Sequence, residues 1–160
     1  MKVIGIDPGF GRVGVSIVEK NKNTKETLLF STCIETSSKD LKSKRIYDAV
    51  QEIKGYIQNY KPDALAIETL FFTNNQKTAL GVAEARGAII YEAMINGLQV
   101  FEYMPNQVKV AVTGNGNSDK ASIIKMIPLL VSIPKNMKDS LDDEYDAIAV
   151  ALTCLACDFK

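Results

Sequence analysis

Asp7 ends the apolar run Val3-Ile4-Gly5-Ile6 at a Pro8-Gly9 turn, and Glu68 ends a second run, Ala64-Leu65-Ala66-Ile67. An ionised carboxylate at the edge of an apolar run must be paired, hydrogen-bonded or bound to a cation. Aspartate also serves as a turn residue, so turn formation accounts for Asp7 about as well as chemistry does; glutamate is a poor turn residue, which favours a chemical role for Glu68. A third acidic element, Asp139 to Asp146, places five carboxylates in eight residues. Asp143 and Asp146, spaced i, i+3 where a helix begins, share a face that continues through Ala147, Val150 and Cys154. The helix macrodipole accounts for one or two acids at such a start, but not for the apolar continuation of their face. Asp142 and Asp146, spaced i, i+4, form a competing pair, and periodicity leaves both pairs open.

Convergence of Asp7, Glu68 and a pair of these aspartates would crowd four carboxylates into one site. The chain has no histidine, so histidine-based acid–base chemistry and a histidine zinc site are excluded. An oxygen-only ligand set suits Mg²⁺ or Mn²⁺. Two such ions would cancel the four negative charges in the arrangement that serves in-line phosphoryl displacement, and the chemistry implied is phosphodiester hydrolysis.

Elements able to position these groups are legible in the pattern. Lys2 to Asp7, Val13 to Glu19 and Thr27 to Ile34 read as three antiparallel strands joined by the Pro8-Gly9-Phe10-Gly11 and Asn21 to Thr24 turns. Leu41 to Tyr60 carries Ile46, Ala49, Val50, Ile53, Tyr56 and Ile57 on one helical stripe. Ala64 to Ile67 reads as a buried strand, Gln76 to Asn96 as a helix, Leu98 to Tyr103 as a fifth strand, and Pro105 to Val112 as a short helix. Ser118 is the expected N-cap of a helix reaching Leu130, and a last helix runs from near Ser140 to Cys157. The order predicts an α/β fold with a mixed five-strand sheet, three antiparallel strands followed by two βα units, flanked by helices. At 160 residues the chain has the size of one domain spanning 1–160. The helix from Gln76 is apolar on more than one face, and its small residues Gly81, Ala85 and Ala88 form a strip that either meets a second copy of the chain or lies in this chain's own core, two readings the pattern leaves about even.

Nineteen basic residues balance nineteen acidic ones, yet they are segregated. Lys20 to Lys61 is net basic, Pro105 to Lys138 holds five lysines against Asp119 alone, and Asp139 to Lys160 holds six carboxylates against one lysine. Such a distribution fits a cation-dependent enzyme acting on a polyanion. The N-terminus reaches Asp7 and Pro8 too early for the apolar stretch of a secretory signal, and no run approaches the roughly 20 apolar residues of a membrane helix, so a cytoplasmic protein is expected. Cys33, Cys154 and Cys157 are an odd set, expected to be free buried thiols.

Five segments resemble the RuvC family of Holliday junction resolvases: Ile4-Gly5-Ile6-Asp7-Pro8-Gly9; Ala66-Ile67-Glu68 with Phe71-Phe72; Ala85-Arg86-Gly87; Pro105 to Gly116 with Lys120; and Asp143 through Asp146-Ala147. They occur in family order across nearly the whole chain. The resemblance implies a ribonuclease H-like fold and a homodimer that nicks two opposed strands of a four-way DNA junction symmetrically, leaving ends a ligase can seal. It implies an acidic tetrad of Asp7, Glu68, Asp143 and Asp146, deciding for Asp143 over Asp142, with two Mg²⁺ ions per site and Mn²⁺ as an alternative. Lys109 and Lys120 match family lysines near the scissile phosphate, Phe71 matches an aromatic stacking wedge, and Asn117 joins these as a DNA-contacting position. The helix from Gln76 matches the family's dimer helix, and association with a branch-migration motor is implied. Departures lie at Val13-Gly14-Val15-Ser16, Glu84, Asn74 and Glu144-Tyr145, outside the tetrad, and bear on DNA contacts and sequence preference more than on the chemistry.

Overall fold

The structure, a computed structural model, describes residues 1–22, 24–70, 76–134 and 142–159, with the side chains of 76–78 outside the description. Its elements run β1 (Lys2–Asp7), β2 (Arg12–Glu19), β3 (Glu26–Glu35), α1 (Lys42–Tyr60), β4 (Ala64–Glu68), α2 (Gln76–Ile95), β5 (Gln99–Tyr103), α3 (Pro105–Thr113), α4 (Lys120–Leu130), β6 (Val131–Ser132) and α5 (Asp142–Cys157). Among the described residues the sheet has six strands in the order β5-β4-β1-β2-β3-β6. β1 to β3 are antiparallel, and β4, β5 and β6 add in parallel. The expected α/β architecture and mixed sheet are therefore observed. The extra strand is the two-residue β6, too short to leave a periodic signal, which pairs with the start of β3 where α4 ends.

The central strand β1 is covered on both faces, as its unbroken apolar run requires. Ile4 and Ile6 face α1 and α2, in a cluster with Val15, Ile53, Ile67 and Ile89. Val3 joins the opposite cluster with α3, α4 and α5, where Val108, Ile127 and Ile148 are buried. Each fully buried Ile, Leu or Val of these clusters contributes on the order of 1.5–3 kcal/mol.

Glycine sets how closely α5 approaches the sheet. A Cβ on Gly5 would stand 2.2 Å from the Ala147 carbonyl oxygen, and one on Gly14 would stand 2.0 Å from the Asp143 carbonyl oxygen. Ser16, fully buried on β2, uses its hydroxyl to donate to the Ala147 oxygen at 3.0 Å. Residues Ala147 to Leu155 are all buried, so α5 is the helix pressed across the middle of the sheet.

Two sequence expectations are corrected. The N-cap of α4 is Asp119, which accepts from the Ser122 amide at 2.9 Å, and not Ser118, whose hydroxyl pairs with Thr113 Oγ1 at 2.7 Å. The small-residue strip of α2 is also used within the chain: the Phe10 ring lies against Gly81, where a Cβ would come within 2.9 Å of it, and Ala85 is 4% exposed. Arg45 lies over that ring, 4.0 Å from its centroid. Gly81 and Ala85 are thus occupied by this chain's own packing and are not open to a second copy. Ala88 is intermediate in exposure. The three cysteines are free, as expected, but only Cys154 is buried; Cys33 is intermediate in exposure and Cys157 is exposed. The expectations for Phe71, Phe72, Asn74 and a helix start near Ser140 lie outside the described residues.

Gly5→Ala and Gly55→Ala form a matched test of this packing. Gly55 sits within α1 with nothing within 4 Å of an added Cβ. Gly5→Ala is expected to lower unfolding free energy by about 1–3 kcal/mol through overpacking, whereas Gly55→Ala raises it by about 0.5–1 kcal/mol; urea unfolding followed by circular dichroism reads both.

Candidate active site

Parallel pairing of β1 with β4, Ile6 opposite Ile67, brings the ends of both strands to the same edge, so Asp7 and Glu68 leave the sheet side by side. α5 enters over that edge with Asp146 on the face that leads into the core through Ala147 and Val150. The resulting cleft has a volume of about 240 Å³ and is lined by Asp7, Glu68 and Asp146 together with Lys109, Lys120 and Pro105. Lys109 comes from α3 and Lys120 from the first turn of α4. Five of the six residues expected to carry the chemistry therefore share one cleft. Asp143 lies at its margin, outside the lining, and Asn117 is exposed in the α3–α4 loop, where its amide donates to Asn115 Oδ1 at 3.0 Å.

Burial and neighbouring carboxylates raise the proton affinity of the two strand-end acids. Asp7 is pushed up to about 7, first by burial, then by the charges of Asp146, Glu68 and Asp143, with Lys120 opposing. Glu68 is likewise pushed up to about 7 by burial and then by Asp146, with Lys109 opposing. Burial pulls the Lys120 ammonium down, but its hydrogen bond to Asp146 and the charges of Asp146, Asp142 and Asp143 hold it above the ordinary lysine range.

Asp143 and Asp146, both on α5, each hold a cation of the chain itself. Lys120 Nζ donates to Asp146 Oδ2 at 2.8 Å and stands 3.6 Å from Asp142. Arg12 Nη2 lies 3.1 Å from Asp143 Oδ2, and the Cys33 thiol donates to the same oxygen at 3.6 Å. As placed, no three acidic or cysteine side chains among the described residues form a ready cage for an ion. The donor set nevertheless fits a hard divalent cation: it is all oxygen, and Asp7 and Glu68 are driven toward the protonated form first by burial and then by the charge of their carboxylate neighbours. Bound cations would supply the opposing positive charge.

Several supporting residues were not singled out by the sequence. Arg86 Nε donates to the Glu68 carbonyl oxygen at 2.9 Å, and its guanidinium also pairs with Glu102, so α2 and β5 together fix the end of β4. Ser31 donates to Glu144 Oε2 at 2.5 Å, tying the first turn of α5 to β3. Arg12 and Cys33 hold Asp143 from β2 and β3. Arg86 was visible only as part of a family-like triplet. An arginine at a turn and a serine in a strand carry no distinctive spacing, so the pattern gave no signal for the others.

A family model described as crossover junction endodeoxyribonuclease RuvC matches residues 3–154. The curated RuvC of Caldicellulosiruptor saccharolyticus is 42% identical over 152 residues, covering 95% of this chain and 90% of that protein. That of Thermosipho melanesiensis is 41% identical, covering 100% of this chain and 99% of its relative. The solved structure of Thermus thermophilus RuvC in complex with Holliday junction substrate superposes with a TM-score of 0.89 at 29% identity, covering 98% of this chain and 93% of that one. Similar along nearly its whole length in both sequence and fold, and gathering acids and lysines where the strands of its sheet end, the chain belongs to the RuvC family of crossover junction endodeoxyribonucleases.

Proposed function

We propose that the protein is a metal-dependent endonuclease that resolves four-way DNA junctions by paired symmetric nicks, acting as a homodimer with Asp7, Glu68, Asp143 and Asp146 as the acidic tetrad of each site. The single observation that carries this reading is the cleft in which Asp7, Glu68 and Asp146 face Lys109 and Lys120. Carboxylates alone would repel a phosphodiester, and lysines alone would only bind it; the combination suits bringing divalent cations and a phosphate to the same place.

The tetrad carboxylates would hold two Mg²⁺ ions, with Mn²⁺ as an alternative, and such ions supply neutralisation of the developing phosphorane charge and a water of lowered pKa. The chain's own residues do the rest. Lys109, set against Glu68, is placed to contact a non-bridging phosphate oxygen. Lys120 is held at the mouth by Asp146 and can turn to the phosphate once that carboxylate is engaged elsewhere. Hydrolysis adds water across the P–O3′ bond, leaving a 5′-phosphate and a 3′-hydroxyl, the ends that a ligase can rejoin. Phe71 and Asn117 are proposed to contact junction nucleotides, Phe71 by stacking on an unpaired base. The RuvC protein of Thermus thermophilus has been solved with Holliday junction substrate, which supports this substrate class.

Symmetric nicking of two strands requires two sites related by a two-fold axis. The surface offered for this is the outer face of α2, where Leu80, Tyr91, Met94 and Ile95 are 65%, 66%, 59% and 57% exposed. Leu80, Gly87, Tyr91 and Ile95 fall at i, i+7, i+11 and i+15 on that face, and Gly87 is open to close approach. We assign the dimer contact to this face in place of the Gly81 and Ala85 strip. A branch-migration motor and a cytoplasmic location complete the proposed setting; no helix among the described residues is long and apolar enough to cross a membrane.

Asp7→Asn, Glu68→Gln, Asp143→Asn and Asp146→Asn are each expected to lower junction cleavage by about 10² or more while gel-shift affinity for the junction stays near that of the parent; an active Asp146→Asn enzyme would remove that residue from the tetrad. The raised Asp7 and Glu68 set the sign of a pH effect on the metal-free protein. Between the ordinary carboxylate range and about 7 the folded state binds more protons than the unfolded one, so stability falls as pH rises through that window. Calorimetric Tm values should therefore drop from pH 5 to pH 8, less steeply in the Asp7→Asn/Glu68→Gln double variant, and Mg²⁺ should restore them at pH 8; equal slopes in the two proteins would contradict the coupling. Leu80→Glu and Tyr91→Glu should sediment as folded monomers, and a dimer surviving both would place the contact on another surface.

A further inference from the structure

Asp143 is set apart from the other three acids by the company it keeps. Asp7, Glu68 and Asp146 line the cleft, whereas Asp143 is outside that lining, with Oδ2 facing Arg12 Nη2 at 3.1 Å and the Cys33 thiol at 3.6 Å. Arg12 is itself held from the other side: its Nε lies 3.4 Å from Glu35 Oε1, its direct neighbour across the β2–β3 ladder. The guanidinium therefore sits between two carboxylates, one anchored at the end of β3 and one on the first turn of α5. The backbone beneath is closely packed, since a Cβ on Gly14 would stand 2.0 Å from the Asp143 carbonyl oxygen. Only the side chain of Asp143 is free to choose between the arginine and the cleft.

We propose that Arg12 is a positioning residue that holds the Asp143 carboxylate at the margin of the cleft in the metal-free protein, and that divalent cation binding exchanges this ion pair for a metal–carboxylate contact while Glu35 retains the guanidinium. The inference rests on the assignment of Asp143 to the metal-holding set. An exposed ion pair of this kind is weak; Arg12 and Glu35 are 49% and 64% exposed at the side chain and Asp143 is 25% exposed. A latch of that strength tunes metal affinity without preventing occupancy. It also keeps one of four mutually repelling carboxylates neutralised while the site waits for its ions, the part that Lys120 plays for Asp146.

Isothermal titration calorimetry of the whole protein with Mg²⁺, and separately Mn²⁺, without DNA, tests this through binding heats and not turnover. Five proteins are compared: the parent, Arg12→Gln, Arg12→Lys, Asp143→Asn and the Arg12→Gln/Asp143→Asn double variant, each checked for folding by circular dichroism. Arg12→Gln is expected to bind the ion about two- to fivefold more tightly, since the competing pair is gone. In the Asp143→Asn background the same substitution should change affinity little, because there is no carboxylate left to release. Arg12→Lys, which keeps the charge and the partner, should stay near the parent. Unchanged or weaker binding by Arg12→Gln overturns the latch, and so does equal tightening with and without Asp143, which would reflect only the loss of a nearby positive charge. Asp143→Asn binding metal as well as the parent is a separate failure: it removes Asp143 from the metal-holding set, and the inference falls with it.

Discussion

The structure turns on the mutual repulsion of carboxylates that the fold forces together. Parallel pairing of β1 and β4 fixes Asp7 and Glu68 side by side, and α5 adds Asp146 from above, in surroundings dry enough that burial is the largest influence on both strand-end acids. Nothing in ordinary folding favours such a cluster; each ion removed from water costs free energy that only opposite charge returns. Lysines and an arginine supply part of that charge within the chain, and the remainder is what divalent cations are suited to provide. Arg86 and Glu102 at the end of β4, and Ser31 and Glu144 at the start of α5, limit how far the backbone can relax away from the crowding.

Close approach of α5 to the sheet makes this crowding possible. Gly5 and Gly14 strip the side chains from β1 and β2 where the helix passes, Ser16 satisfies the Ala147 carbonyl from below, and the small side chains of Ala147 and Ala151 meet the sheet without a gap. The same geometry that packs the core thus sets the height of Asp143 and Asp146 over the strand ends. Stability and site geometry are coupled here: a change that lifts α5 by the width of a methyl group would alter both. On the other side of the sheet, Phe10 lies against Gly81 of α2 and under Arg45 of α1, which ties the β1–β2 turn to both helices.

Much of this was legible in the residues. The strands β1, β2, β3, β4 and β5 and the helices α1 to α5 follow from alternation, helical stripes and turn chemistry, and the termination of two buried runs on Asp7 and Glu68 was a visible anomaly. What escaped detection did so for identifiable reasons. β6 has two residues, and its pairing depends on where α4 stops. Ser118 and Asp119 are both good caps, and the choice between them is made by a hydroxyl contact from Thr113 that no local pattern reveals. α2 is apolar around most of its circumference, so periodicity could not say which small residues face inward; Gly81 and Ala85 do, and Leu80 and Tyr91 do not. The pairing of Lys120 with Asp146 and of Arg12 with Asp143 joins residues far apart in sequence and is set by tertiary structure alone.

What the protein cuts is the most direct test of its assignment. Purified protein incubated with Mg²⁺ on an immobile four-way DNA junction, beside a linear duplex, a splayed fork and an RNA/DNA hybrid of matched sequence, separates junction resolution from the other reactions a ribonuclease H-like fold supports. Paired nicks at symmetric positions on opposed strands of the junction, resealable by ligase and absent when the metal is chelated, are the predicted result. Preferential cutting of the hybrid, the fork or the plain duplex would contradict the account, leaving the acidic cleft in place but assigning it to a different substrate.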